Sequence, residues 1–186
     1  MSSPDTLRPA RRAVLVLTLV LVGGLALAGC QVRPLYGSLG APDMVPVQDE
    51  LAAIEIEPID TATSAGDARR ALLNELIFGF ERGAPRADRK YRLKIVMDVR
   101  VAEVALEELA DVPAAYTTTM NASFVLSDMA DDRTLMTGKS FATASYDFSS
   151  QRFSNLRARR DAEQRVAKAV AQDIQARIAG YFAGRK

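Results

Sequence analysis

Three pairs of carboxylates, Glu55/Glu57, Glu107/Glu108 and Asp131/Asp132, are spaced closely enough to be candidates for acid–base work. Such work needs a desolvating setting that drives two pKa values apart. No apolar pocket signature, nucleophile motif or phosphate-binding glycine loop accompanies them, so each pair is expected on solvated surface. Histidine is absent and cysteine occurs once, at Cys30. That removes histidine-based triads, the common zinc sites and any internal disulfide. No enzyme activity, metal or cofactor is expected.

The cations are more informative. Lysine and arginine number 24 against 23 acids, and so balanced a surface gives no reason to expect nucleic acid as a partner. Arg69 and Arg70, and the run "RARRDAEQR", fall on predicted helices among acids or apolar residues, where a solvated helix face is expected. Arg92, Lys94 and Arg100 instead fall on the polar side of one alternating stretch, and Lys139 lies beside Phe141 in another. Basic groups beside threonines and an aromatic could hold the phosphates of an amphiphile, with adjacent apolar surface taking an acyl chain. The alternative is that these charges keep a solvated or edge surface from aggregating.

The elements that would carry these groups follow from periodicity. "LAAIEIEPI" alternates with Ile54 and Ile56 on one side and Glu55 and Glu57 on the other, until Pro58 ends the strand or confines it to an edge. Leu72, Leu73, Leu76, Ile77 and Phe80 recur at helical spacing, with Asp67 or Ser64 as the expected cap. "YRLKIVMDVRVAEV" is the clearest strand: Tyr91, Leu93, Ile95, Met97, Val99 and Val101 share a face, and Arg92, Lys94, Asp98 and Arg100 the other. After a turn around Pro113, "YTTTMNASFVL" alternates again, placing Met120, Ala122, Phe124 and Leu126 together. The next strand carries Met136, Gly138, Ala142, Ala144, Tyr146 and Phe148 inward, and these small residues suggest a helix packed closely over it. A last long helix, capped by Ser154 or Asn155, steps by four through Val166, Val170, Ile174, Ile178 and Phe182, with Arg160, Gln164, Lys168, Gln172 and Gln175 on another face. The expected architecture is α+β: a two-layer sandwich with a four-stranded sheet and two helices packed on one face.

The N-terminal segment reads as an address. Arg8, Arg11 and Arg12 precede an apolar run from Ala13 to Ala28 interrupted only by Thr18, the pattern of a secretory signal and marginal for a permanent span. Ala26-Leu27-Ala28 fits an ordinary signal peptidase, whose cut would leave a soluble protein starting at Gly29. Leu27-Ala28-Gly29-Cys30 resembles the lipobox of bacterial lipoproteins, in which the cysteine becomes residue one and carries S-diacylglycerol and an N-acyl chain such as palmitate. Lipidation of Cys30 is preferred, because a free terminal thiol in an oxidising compartment is a liability. Two or more chains hold a protein in a bilayer where one binds only marginally. The expected division is residues 1–29 as signal peptide, 30–49 as acylated tether and 50–186 as one α+β domain. By resemblance to the sorting rule of Gram-negative lipoproteins, Gln31 after the cysteine points to the outer membrane.

The lipobox with "QVRPLYG" after it, the "ASYDF" strand end and the "DAE" run in the last helix together resemble the lipopolysaccharide-assembly lipoprotein family LptE, also called RlpB, in its alphaproteobacterial form. The resemblance implies a four-stranded sheet with two helices on one side. It implies a plug inside the outer-membrane barrel LptD that assists assembly of that barrel and helps deliver lipopolysaccharide to the outer leaflet. Lipopolysaccharide contact through basic residues is implied as well, for which Arg92, Lys94, Arg100 and Lys139 are candidates by face and charge alone. Two rivals are an auxiliary lipoprotein of an ABC-type lipid transporter and a periplasmic hydrolase, the second disfavoured by the missing histidine and nucleophile elbow.

Overall fold

The computed structural model describes residues 47–61, 65–83, 87–107 and 112–185. The signal segment, Cys30, the tether up to residue 46, the candidate cap Ser64 and Glu108 lie outside these residues. The elements in chain order are α1 (Val47–Ala52), β1 (Ile54–Ile56), β2 (Asp60–Thr61), α2 (Gly66–Glu81), β3 (Tyr91–Glu107), β4 (Val112–Asp128), β5 (Thr134–Asp147) and α3 (Arg152–Gly184).

Alternation in the three long strands produces an antiparallel meander, β3 to β4 to β5, whose register pairs Leu93 with Leu126 and Ile95 with Phe124. β1 joins the free edge of β3 in parallel, Ile54 opposite Tyr91, and β2 continues along that edge with Asp60 opposite Val96. Pro58 interrupts the edge between them, where a missing N–H costs least. A parallel neighbour requires a crossover, and α2 supplies it. The order across the sheet is β1 with β2, then β3, β4 and β5, and α2 and α3 pack on one face of it, as the periodicity predicts.

The dry layer lies between that face and the helices. Leu93, Ile95, Met97, Met120, Phe124 and Leu126 meet Leu72, Leu76 and Phe80 of α2 and Val166, Val170, Ile174 and Ile178 of α3, all buried. The helices interlock at Gly79: a Cβ there would stand 1.8 Å from Gln175 Nε2, the group that donates a 2.9 Å hydrogen bond to the carbonyl of Glu75. Gln175, expected on the polar face, is therefore a half-buried link between α2 and α3.

Four local expectations change. Leu51 and Ala52, read as part of the first strand, lie in α1 and are buried. Six residues are too few to show a period, and α1 is held by tertiary bonds instead: Gln48 Nε2 donates to the Phe80 carbonyl at 2.7 Å, and Tyr91 OH to Glu50 Oε2 at 2.6 Å. Arg89 ties the same corner, donating to the carbonyls of Ala52 (3.0 Å) and Ile54 (2.6 Å) and to Glu81 Oε1 (2.9 Å). Asp67 does not cap α2, which starts after Ala65 with no side-chain cap; it pairs with Arg70 one turn on. α3 begins at Arg152, ahead of both expected caps, and Asn155 instead exchanges two 2.7 Å hydrogen bonds with the backbone of Ser149. Pro113 belongs to β4, opposite Leu106, so this hairpin runs past the expected turn. The helix expected over β5 is present, since α3 packs on that strand, although the space above Gly138 itself is filled by the ring of Phe124 from the neighbouring strand.

Two outcomes follow for stability. A Cβ at Gly138 would approach the buried Phe124 ring to 2.5 Å, so Gly138→Val is expected to destabilise by about 1–3 kcal/mol in urea unfolding. Burial first, and Glu50 as hydrogen-bond acceptor second, push the Tyr91 phenol up to about 12. The folded chain thus keeps a proton that the unfolded chain releases near 10. Stability is expected to fall as pH rises from about 10 to about 12, and Tyr91→Phe to flatten that part of the profile.

Candidate functional site

The face of the sheet away from the helices is the surface on which the predicted cations meet. Strand alternation sends Arg92, Lys94, Val96, Asp98 and Arg100 of β3 to this side. The register sets Ser127, Val125, Ser123, Asn121 and Thr119 of β4 beside them, and Thr137, Lys139, Phe141, Thr143 and Ser145 of β5 beyond. The face is built mostly of hydroxyls and cations. Thr117 Oγ1 and Ser145 Oγ share a 3.0 Å hydrogen bond across two strands, while Val96 and Phe141 stand on it 47 % and 74 % exposed.

The four predicted cations divide into two kinds. Arg92 donates from Nη1 to Asp132 Oδ1 at 2.7 Å and places Nε 3.4 Å from Glu57 Oε1, so its charge is spent inside the protein. Asp132 reaches it from a left-handed backbone position, φ 53°. Arg100 donates from Nε to Asp98 Oδ2 at 2.7 Å on an open surface, a pairing that contributes little. Lys94 and Lys139 are exposed and form no ion pair with any described residue. Lys94 faces Val125, and Lys139 faces Ser123 one row on. Strand spacing and rise put their Cα atoms about 12 Å apart, on either side of β4.

The carboxylate pairs take structural places. Glu57 and Asp132 flank Arg92, Asp131 Oδ1 accepts the Arg133 N–H at 3.1 Å, and Glu55 is exposed. No group of three His, Cys, Asp or Glu side chains is clustered as metal ligands among the described residues.

On the helix side, an open cleft between α2 and α3 is lined by Asp67, Arg70, Asn74, Arg160, Glu163 and Gln164. Its charges answer one another: Arg159 Nε donates to Glu163 Oε1 at 2.9 Å, and Arg160 Nε lies 3.7 Å from Asp67 Oδ2. On β5, burial raises the Tyr146 phenol above its ordinary value, with Arg159 opposing. Periodicity gave no notice of Glu163, a carboxylate 8 % exposed on the core side of α3. Its signal was the arginine four residues earlier. Phe153 and Leu156 stand outside the helical period as well; two apolar residues among arginines ahead of the regular four-residue step are their trace in the sequence.

A sequence model of the family described as "LptE: Lipopolysaccharide-assembly" matches residues 51–178. No curated protein sequence is similar enough to add a relative. Among solved structures, a lipoprotein from Caulobacter crescentus CB15 is 20 % identical with a TM-score of 0.55, over 75 % of this chain and 97 % of that one; it shows the fold. Lipoprotein B from Nitrosomonas europaea (13 % identity, TM-score 0.49, 80 % and 94 % covered) and rare lipoprotein B from Shewanella oneidensis (14 %, 0.42, 69 % and 94 %) are more distant and add no argument. No helix among the described residues is long and apolar enough to cross a membrane.

Because Lys94 and Lys139 hold nothing in the fold, replacing both by serine is expected to leave stability within about 0.5 kcal/mol in thermal unfolding. A larger loss would mean that the face is structural.

Proposed function

The chain belongs to the LptE lipopolysaccharide-assembly family, and on that premise we propose that it is an outer-membrane lipoprotein that plugs an LptD-like barrel, assists its assembly and helps deliver lipopolysaccharide to the outer leaflet. The observation that carries this reading is the one-sided sheet. Its outer face offers hydroxyls, an amide and lysines along residues 92–100, 119–127 and 137–145 of three strands, and a barrel lumen is a wet place lined by polar groups. A plug with an apolar outer face would not be solvated there.

In the same reading Cys30 is the first residue of the mature chain and carries S-diacylglycerol and an N-acyl chain. Residues 31 onward tether the body to the periplasmic leaflet, and the role is one of binding and assembly. Lys94 and Lys139 supply free charge for lipopolysaccharide phosphates, with Phe141 and Val96 as apolar neighbours. Arg92 and Arg100 contribute less, since each shares its charge with a carboxylate.

Three measurements test this. Detergent extraction of the acylated chain is expected to co-purify a large outer-membrane barrel; recovery as a lone monomer, under conditions that keep other lipoprotein complexes intact, would overturn the plug. Mass spectrometry of the mature N-terminus is expected to find acylated Cys30, and an unmodified start at Gly29 would remove the anchor. Lys94→Glu with Lys139→Glu is expected to weaken lipopolysaccharide binding by about tenfold or more, with a smaller effect from reversing Arg92 and Arg100; unchanged binding would retire the face as the contact.

A further inference from the structure

The first three turns of α3 carry a surface that the fold does not use. No residue from Arg152 to Asp161 is buried, and the first covered side chain is Ala162. At 100° per residue, Arg152, Leu156, Arg160, Phe153 and Arg157 fall within an arc of about 140°. The half-buried positions Asn155 and Ala158 lie on the opposite side, toward the body. Phe153 is 81 % and Leu156 46 % exposed. Arg152 and Arg157 form no ion pair with a described residue, whereas Arg160, at the far end of the stripe, lines the cleft with α2 and lies 3.7 Å from Asp67 Oδ2.

Neither the charge nor the apolar surface serves stability. Arg152 sits in the first turn of a helix that has no acid there, where a cation costs roughly 0.3–1 kcal/mol, and Arg157 pairs with no described acid. Phe153 and Leu156 gain little from a core they do not enter. The stripe is nevertheless held firmly in place, because Asn155 is bonded twice to Ser149 at the end of β5.

We propose that this stripe docks on an anionic phospholipid bilayer, Phe153 and Leu156 entering the acyl boundary while Arg152 and Arg157 meet headgroup phosphates. The side chains of the helix flank make the contact, and the amides at its N-terminus take no part. Charge complementarity selects an anionic partner. The bilayer is selected over a protein because Phe153 projects from a convex helix end: a protein would have to bring a fitted pocket, whereas the interface accepts an apolar side chain of any shape. The contact depends neither on the barrel nor on acylation of Cys30, and it uses a different element from the Lys94/Lys139 face.

The chain from Gln31 onward, without acyl groups, keeps every described core residue and is the reagent for sedimentation with vesicles. It is expected to bind phosphatidylcholine vesicles containing phosphatidylglycerol, not phosphatidylcholine alone, and to be released by added salt. Arg152→Glu with Arg157→Glu, and separately Phe153→Ser with Leu156→Ser, are each expected to lower binding about tenfold or more with unchanged thermal unfolding. Lys94→Glu with Lys139→Glu is expected to leave vesicle binding as it was. No binding, equal binding to both vesicle types, full binding by either stripe variant, or binding to lipopolysaccharide micelles but not to vesicles would overturn the proposal.

Discussion

One face of the sheet is dry and the other is wet, and the rest of the structure depends on that asymmetry. Leu93, Ile95, Met97, Met120, Phe124 and Leu126 lose all contact with water beneath the two helices, each such burial contributing about 1.5–3 kcal/mol. Since side chains alternate, the same strands must deliver the intervening residues to the opposite side. That side is consequently rich in serine, threonine and lysine, and any partner that meets the sheet meets polar groups. Ala162, Ala167, Ala171 and Ala179 let α3 lie close on its neighbours, so the dry layer is thin and closely fitted.

The open corner of the sandwich is secured differently. At the edge carrying β1, α1 is six residues long and β1 three, too short to persist by local hydrogen bonding. Gln48 of α1, Tyr91 of β3 and Arg89 just ahead of β3 bind this corner by directed bonds to backbone carbonyls and to Glu50 and Glu81. Tyr91 also packs its ring 4.9 Å from Phe182, joining the start of the sheet to the end of α3. Polar bonds with well-defined geometry thus fix where the chain enters the domain, and apolar contact fixes the remainder.

α3 extends about 50 Å over 33 residues, and the body covers only the part from Ala162 onward. The proposed functions use what the two layers leave exposed. The polar sheet face suits a wet lumen and phosphates, and the uncovered helix flank, with arginines around Phe153 and Leu156, suits a charged lipid surface. Lys94 and Lys139 on the one, and Arg152, Phe153, Leu156 and Arg157 on the other, have no task in the fold, which is why each site can be altered without unfolding the protein.

Much of this was written in the periodicity. The one-sided strand Tyr91–Val99, the four-residue step from Val166 to Phe182, the edge position of the strand before Pro58 and the outward placement of Arg92, Lys94, Arg100 and Lys139 follow from side-chain geometry alone, because alternation and helical repeat are properties of the local backbone; Val101, on the same face, is left exposed where the core ends. Tertiary structure decided the rest. Whether Arg92 is free depends on Asp132, forty residues away; whether Gly138 lies beneath a helix or a ring depends on Phe124 across the ladder; and whether the arginines of α3 face core or solvent depends on where the neighbouring elements end. The sequence by itself determined which residues could share a face. Long-range contacts, formed only when distant segments pack, decided which of those residues were neutralised, covered or left exposed.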